Sequence, residues 1–432
     1  MVQAAVTKTS AGSDHPSNHR AMAMVTTLFF VWGFLTALND ILVPHLKSIF
    51  ELNYARVMLI NSAFFGAYFV FAIPSALVIE KIGYKKTMVV GLLIMALGAI
   101  LFVPAANVPS FELFLAALIV LATGVTALQV AANPYVTVLG PARTASSRLN
   151  LTQAFNSLGT TIAPYVGGML ILSAAPLSSS ELHRLSSPAL LAYRQHEASS
   201  VKLPYIGITV CLVALALAIA MFKLPKIEAT REFRPMGEAD TAAKDLWKHR
   251  QLVFGTLGIF LYVGAEVAIG SFLINYFTQP EIGNLSVKTA ASLVSLYWFG
   301  AMVGRFIGAA GLQKLPTRAV LGTVAVVACL LVTTSILSTG WLAMATIIAV
   351  GLFNSVMFPS IFALGVEDLG PLTAKGSGML VQAIVGGAII PVAEGALADH
   401  IGIHHAFILP ALCYVYIAFY GFKGSVHKVQ NA

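Results

Sequence analysis

The chain has 432 residues, of which 58% are hydrophobic and only 10% are charged, and its mean hydropathy is +0.83. Soluble domains contain about 25% charged and roughly 45–50% apolar residues, so this composition excludes an ordinary soluble domain. The net charge of +8 does not indicate nucleic-acid binding, because the basic residues cluster between apolar segments, as in membrane proteins. The three cysteines lie inside apolar segments, and their spacing predicts neither a disulfide framework nor a metal site.

The N-terminal residues through Arg20 are polar and lack the apolar core of a signal peptide, so we expect a cytoplasmic tail over 1–23. Twelve apolar stretches follow, each about 20 residues or longer, enough to cross a hydrocarbon core of about 30 Å as a helix. The predicted spans are 24–46, 57–80, 85–106, 111–139, 148–173, 202–224, 251–278, 287–312, 317–338, 340–366, 375–398 and 404–424.

The distribution of basic residues predicts that both termini are cytoplasmic, because Lys and Arg concentrate in cytoplasmic loops. With that orientation, only six of the 26 basic residues lie outside: Lys47, Arg56, Arg184, Arg194, Lys202 and Lys288. A long external loop is expected at 174–201. A basic cytoplasmic linker at 225–250 separates two six-span halves, 24–224 and 251–424, and a cytoplasmic tail follows at 425–432.

The two halves show a weak internal repeat. Residues 134–140 resemble 359–365, Gly159 and Pro164 match Gly386 and Pro391, and Gly33 matches Gly264, all at shifts close to one another. Such repeats predict two parallel halves related by an axis along the membrane normal, with a solute site near the midplane between them. The fold class is therefore an all-α polytopic membrane protein with two pseudo-symmetric six-helix halves.

Three carboxylates lie more than two residues inside the ends of predicted spans, where ionisable groups are costly and therefore call for an explanation. Asp40 and Glu266 lie at similar depths in the first and seventh spans. Each is interpreted as a protonatable or cation-binding group that couples solute movement to an ion gradient, and the alternative is a structural hydrogen bond. Glu394 lies near the external end of its span, where we expect contact with water.

Uncharged amides provide a second signal, because an amide offers the donor and the acceptor that a polyhydroxylated sugar requires. Gln129 and Asn133, and Gln153 and Asn156, are spaced so that each pair shares a helix face. Asn354, Gln382 and the aromatic Trp298 are further substrate-binding candidates. The alternative is that the amides join helices by hydrogen bonds and that the aromatic ring packs in the core.

Five segments together resemble the fucose–galactose–glucose symporters of the major facilitator superfamily. They are Phe30–Leu42, with Asn39 and Asp40; Ala131–Pro141; Arg148–Gly159; Tyr262–Glu266; and Gly304–Gly308. The resemblance covers nearly the whole chain beyond the tail. It implies the twelve-helix major facilitator fold, a bacterial inner-membrane location and a monomer, and it adds Asn39 to the substrate-binding candidates.

The superfamily signature between the second and third spans is degenerate here. It reads Glu80-Lys81-Ile82-Gly83-Tyr84-Lys85-Lys86. The resemblance implies a cytoplasmic gate held by charge pairs, with six candidates: Glu80, Lys81, Lys85, Lys86, Arg148 and Arg305.

One departure from the family pattern affects the coupling mechanism. Fucose/proton symporters carry coupling carboxylates in helices one and four, and Asp40 matches the first, whereas Gln129 stands at the second position. A glutamine does not take up a proton. The glutamine form, together with Glu266, resembles the glucose/galactose branch, in which either Glu266 supplies the second acid or Asp40 couples alone.

The sequence therefore predicts a secondary transporter, not an enzyme, that imports glucose or galactose with a proton or sodium ion by alternating access. Its expected partners are the hexose and the lipid bilayer, with no nucleic acid, no organic cofactor and no metal site. The alternatives are an N-acetylhexosamine, mannose or fucose symporter of the same family, a sugar uniporter, and a non-transporting membrane sensor.

Overall fold

The computed structural model describes residues 16–50, 54–107, 110–171, 202–225 and 245–426, with the short pieces 184–186, 188–189 and 192–193. Within the helices, the side chains at 16–18, 36, 38–50, 54–59, 61, 164, 165 and 167–171 fall outside this description. Most of the predicted external loop and linker lie outside it as well. The described residues form helices and turns without a strand.

The helices follow one another with short connections. In chain order they are α1 (Pro16–Phe50), α2 (Tyr54–Asn107), α3 (Phe111–Val138), α4 (Ala145–Ile171), α5 (Lys202–Met221), α6 (Arg250–Phe277), α7 (Val287–Gly311), α8 (Thr317–Leu337), α9 (Gly340–Asn354), α10 (Met357–Gly365), α11 (Thr373–Gln382), α12 (Gly386–Ile401), α13 (Ile403–Ala406) and α14 (Ile408–Phe419). Turns of 3₁₀-helix at Ala142–Thr144, Gly370–Leu372 and Ala383–Val385, and a π-helical turn at Tyr420–Gly424, complete the described helical structure.

Nine helices among the described residues are long and apolar enough to cross a membrane. One of them, Ser62–Asn107, passes through Gly83, whose φ of 80° and ψ of 165° are not helical. Glycine adopts this conformation at low cost, so Gly83 divides α2 into segments that correspond to the predicted spans 57–80 and 85–106. The all-α membrane fold is confirmed, whereas the number of twelve spans remains a prediction.

The predicted span 340–366 contains two helices, α9 and α10. Pro359 in α10 has no N–H to donate to the carbonyl of Ser355, and its ring crowds that carbonyl. The continuous helix is therefore interrupted at residues 355–356, although Gly340–Gly365 as a whole is long enough to cross a membrane.

The two halves repeat one close helix contact. In the N-terminal half, α4 packs on α1, and a Cβ at Gly159 would overlap the carbonyl oxygen of Phe30. In the C-terminal half, α12 packs on α6, and a Cβ at Gly386 would overlap the carbonyl oxygen of Phe260. Gly159 and Gly386 are equivalent in the sequence repeat, so this shared geometry supports the internal duplication.

The halves meet mainly along two helix pairs, α2 with α11 and α4 with α7, with smaller contacts of α11 on α3 and of α10 on α4. We call the end of the bundle that carries Gly83 and the turns at 139–145, 311–317 and 365–373 the linker end. The hydroxyl of Ser147 donates to the carbonyl of Ala309 (2.5 Å), and the amide of Gln382 donates to the carbonyl of Phe69 (2.9 Å). The first contact lies close to the linker end, whereas the second lies near the middle of the bundle.

Candidate functional site

A buried ion pair lies inside the C-terminal half. Glu266 on α6 and Arg305 on α7 approach to 3.7 Å between Oε1 and Nη2, and their side chains are only 12% and 15% exposed. A charge at such a position is costly without an opposite charge beside it, so each residue depends on the other. The two helices thus hold a fixed pair of charges within the predicted membrane depth.

Arg305 also connects this pair to the other half of the molecule. Its guanidinium donates a hydrogen bond to the hydroxyl of Ser157 on α4. A guanidinium carries several N–H donors in a fixed plane, so it binds two partners at once. The contact places a charge of the C-terminal half at the interface between the halves.

An aromatic hydroxyl lies beside the ion pair. The Asn354 amide donates to the Tyr297 hydroxyl (2.8 Å), which in turn donates a long hydrogen bond to the backbone carbonyl of Glu266 (3.4 Å). Asn354 Oδ1 and the Tyr262 hydroxyl, one turn before Glu266, are buried and make no hydrogen bond of standard geometry among the described residues, although Tyr262 interacts with the Glu266 carboxylate and Tyr414 with the Asn354 side chain. Buried polar atoms are nearly always bonded, so a ligand or water that enters here competes with these weak contacts.

The N-terminal half contributes amides to the buried polar groups. Gln129 on α3 donates to the Tyr68 hydroxyl on α2 (2.6 Å). Asn133, one turn further along α3, is fully buried, and neither of its amide atoms has a partner in the described part of the chain. Gln153 on α4 is buried as well. Asn133 is therefore the N-terminal amide with the most unused hydrogen-bonding capacity.

Three other substrate-binding candidates differ from these buried groups, because two of them join helices by hydrogen bonds and the third is exposed. Asn156 donates to the carbonyl of Phe29 (2.9 Å) and so joins α4 to α1. Gln382 makes the contact between halves described above. Trp298 is 44% exposed and meets the Tyr297 ring edge-on, with ring centroids 5.1 Å apart. The side chains of the remaining candidates, Asn39 and Asp40, lie outside the described residues.

The six gate candidates fall into three groups. Glu80 and Arg305 contact the opposite half. Glu80 forms an ion pair with Lys375 (3.3 Å between Oε1 and Nζ), and Arg305 donates to Ser157. Lys85 and Arg148 contact their own half, Lys85 through the carbonyl of Ala220 (2.8 Å). Lys81 and Lys86 are exposed.

Arg148 closes the C-terminal end of α3. Its guanidinium donates to the carbonyls of Thr137 (2.7 Å), Val136 (3.1 Å) and Pro141 (3.0 Å). The last carbonyls of a helix have no partner within the helix, so a basic side chain there stabilises the helix end. This arrangement fixes α4 against α3 within one half.

The interpretation of Glu394 as a water-exposed residue is wrong. Its side chain is fully buried, and both carboxylate oxygens have no hydrogen-bond partner among the described residues. Helix α12 continues to Ile401, so Glu394 lies about two turns inside the helix end. Tyr68 and Ser157, which bond to Gln129 and Arg305, carried no signal in the sequence.

Comparisons with known proteins extend over most of the chain. A family model described as Major Facilitator Superfamily matches residues 24–385. The glucose/galactose transporter of Brucella abortus is 50% identical over 405 residues, covering 94% of each chain. The L-fucose-proton symporter of Escherichia coli is 36% identical over 398 residues, covering 91% of each chain.

The fold comparison agrees with the sequence comparison. A crystal structure of the transporter FucP in the outward conformation matches with a TM-score of 0.88 at 34% identity, covering 94% of this chain and 98% of that one. Both halves take part in these matches, which identify a transport protein and not an enzyme. The chain therefore belongs to the Major Facilitator Superfamily and, within it, to the family of the fucose–galactose–glucose symporters.

Proposed function

We propose that this protein imports a neutral hexose, glucose or galactose, by cation-coupled symport. The observation that carries the proposal is the buried Glu266–Arg305 pair, which lies beside Tyr297 and Asn354 and bonds across the interface to Ser157. Charge, hydroxyl and amide groups are thus present where the two halves move against each other. The higher identity to a glucose/galactose transporter than to a fucose symporter favours glucose or galactose as the solute.

The hydrogen-bonding groups suit a neutral sugar. Each sugar hydroxyl is both a donor and an acceptor, and an amide complements both. Among the described residues, neither the donor nor the acceptor of the Asn133 amide is bonded, and Asn354 Oδ1 makes no hydrogen bond of standard geometry. Gln129 and Gln153 complete the proposed set, with Trp298 available to stack on the sugar ring.

The proposed coupling uses Asp40, with Glu266 as a second acid or as part of the sugar site. Proton and sodium coupling both remain open, because a carboxylate beside amides binds either cation. A related symporter for N-acetylhexosamine, mannose or fucose would share this architecture. A uniporter would carry the sugar only down its gradient, and a sensor would carry none.

The contacts between halves support an outward-facing state for the proposed transporter. Two of them, Ser147 with Ala309 and Glu80 with Lys375, lie at the linker end, which the distribution of basic residues predicts to be cytoplasmic. The similarity to a structure in the outward conformation agrees with this. We propose that a monomer in a bacterial inner membrane, with both termini cytoplasmic, alternates by rocking its two halves about the central site.

The test is uptake of radiolabelled glucose into proteoliposomes under an imposed proton gradient and, separately, an imposed sodium gradient. Accumulation above equilibrium under one gradient is expected, and competition by unlabelled hexoses ranks the substrates. Asp40→Asn is expected to lose accumulation and retain sugar exchange. Glu281→Gln makes the corresponding acid-to-amide change at an exposed residue between α6 and α7, and it is expected to behave as the wild type. Uptake that only equilibrates under both gradients would contradict symport.

A further inference from the structure

Glu394 is a carboxylate that the structure surrounds with protein, and the described residues give it no counter-charge. It lies on α12, is fully buried, and has no hydrogen bond to either oxygen among the described residues. An ionised carboxylate in such a place is strongly disfavoured unless a proton or another cation neutralises it. The side chain therefore needs a bound cation that is not supplied by the described residues.

The groups around Glu394 come from three neighbouring helices. Tyr297 on α7 and Cys413 on α14 interact with it electrostatically, and both are uncharged as a phenol and a thiol. Helix α6 packs on α12, and its own carboxylate, Glu266, has Arg305 as its counter-charge. No basic side chain in the described part of the chain interacts with Glu394.

The histidines that follow α12 do not supply the missing charge. His404 on α13 contacts the carbonyl of Ser335 through Nε2 (3.0 Å) and stacks at an angle on the Tyr276 ring. His405 is exposed. Both imidazoles thus have surroundings other than the Glu394 carboxylate.

Glu394 lies at nearly the same depth as the proposed central site. Helices α6 and α12 run in parallel, and Gly264 lies against Ile390. Glu394 follows Ile390 by one helical turn, which places it within about one turn of the level of Glu266. Tyr297 joins the two regions, because its hydroxyl bonds to the backbone of Glu266 and its side chain interacts electrostatically with Glu394.

The two buried glutamates differ in their ability to exchange a proton. A proton that binds to Glu266 must displace an interaction with a guanidinium that is always charged. A proton that binds to Glu394 displaces no cation that the described residues supply. Of the two buried carboxylates discussed here, Glu394 is thus the better proton acceptor on geometric grounds.

We propose that Glu394 is a proton-binding site of the transport cycle, which supplies the second acid that Gln129 cannot provide. Neighbouring helices cover the carboxylate in the described state, so it accepts one proton from water when that cover opens on the side away from the linker end, forming an O–H bond. After the halves reorient, that bond breaks and the proton passes to water at the linker end. This inference rests on the proposed symport function.

Infrared difference spectroscopy tests proton binding without requiring transport. In reconstituted protein, a carboxylic C=O band that titrates with pH is expected in the wild type, lost in Glu394→Gln and retained in Glu281→Gln. Glutamine has the shape of the neutral acid, so the variant should fold, and Glu394→Asp provides a second variant in which the band should shift in frequency. An unchanged titrating band in both Glu394 variants would overturn the proposal.

Transport assays separate this proposal from the proposed function. Under a proton gradient, Glu394→Gln is expected to lose sugar accumulation and to keep sugar exchange, while the wild type and Glu281→Gln accumulate. Wild-type-like accumulation by Glu394→Gln, or accumulation by the wild type that sodium alone drives, would overturn the proton role. If no hexose accumulates in the wild type but the infrared band still disappears in Glu394→Gln, symport fails while Glu394 stands as a proton site.

Discussion

The N-terminal and C-terminal halves share a backbone contact but bury different polar side chains. Gly159 and Gly386 let equivalent helix pairs approach until the backbones touch. The buried polar side chains differ. The described part of the N-terminal half buries amides such as Gln129 and Asn133. The described part of the C-terminal half buries the ion pair Glu266–Arg305 and also Glu394, which has no partner among the described residues.

This difference indicates that the internal repeat preserves the close helix contact, whereas the buried polar side chains differ between the halves. The close helix contact depends on backbone shape, so both halves retain small residues at the same places. The polar groups touch the solute and the coupling ion in the proposed function, so each half can specialise. Among the described residues, the N-terminal half then provides mainly neutral hydrogen-bonding groups, and the C-terminal half provides the buried charged groups.

The largest expected effect comes from removing the cation of the C-terminal half. Arg305→Met leaves Glu266 buried without its counter-charge and Ser157 without its donor. Breaking a buried pair in this way costs about 3–5 kcal/mol of folding free energy. We expect a clear fall in melting temperature in detergent and loss of sugar uptake.

The matched variants separate charge from stability. Arg305→Lys keeps a positive charge but loses the planar set of donors, so it should recover part of the stability. The double variant Arg305→Met with Glu266→Gln removes both charges and should recover most of it, while uptake stays lost. A melting temperature for Arg305→Met equal to that of the wild type would show that the pair has no structural role.

A second prediction tests the contact that the halves share. Gly159→Ala and Gly386→Ala each place a methyl group on a backbone carbonyl, which cannot move aside as a side chain can. Each is expected to destabilise the protein by about 1–3 kcal/mol or more, as overpacked cores do. Thermal unfolding measures both variants.

Gly207→Ala on α5 is the control, since a Cβ there would meet no atom within 4 Å. A helical glycine replaced by alanine in open space gains up to about 1 kcal/mol. Equal destabilisation of the two test variants supports the duplication. A harmless Gly386→Ala beside a severe Gly159→Ala would show that only the N-terminal half depends on the close approach.

The fold was largely predictable because membrane helices must satisfy two simple conditions. They must be long and apolar, and both properties can be read from the sequence. For α3, the sequence predicts a span at 111–139, and the observed helix is Phe111–Val138. The break at residues 355–356 was not predicted, because hydropathy does not respond to a proline that interrupts an apolar helix. Gly83 marks a boundary that the polar residues around it already indicated.

The site was less predictable, because depth along a helix does not determine the direction of a side chain. Glu266 was identified as a buried carboxylate, but its partner Arg305 was placed in the gate, since only the fold shows that the two meet. Glu394 was misjudged for the same reason. Its distance from the helix end suggested water, whereas neighbouring helices cover it completely.

The smallest expected effect on stability concerns the ion pair between the halves at the linker end. Glu80 and Lys375 lie 3.3 Å apart with side chains 33% and 20% exposed, so breaking the pair should change the folding free energy by only ~0.2–1 kcal/mol. Its effect on alternation should be larger than its effect on folding, because the pair joins the two halves at this end. Glu80→Gln and Lys375→Met should therefore alter the rate of sugar exchange while the melting temperature stays nearly unchanged.

The exposed neighbour Lys81 provides the control, since Lys81→Met removes a charge at the same end without breaking the pair. Two charges that act together have non-additive effects, so the double variant Glu80→Gln with Lys375→Met should resemble either single variant. The reversal Glu80→Lys with Lys375→Glu should restore wild-type exchange. Additive effects and no rescue by reversal would mean that the two residues meet without holding the halves together, and closure at the linker end would then depend on neutral contacts such as Ser147 with Ala309.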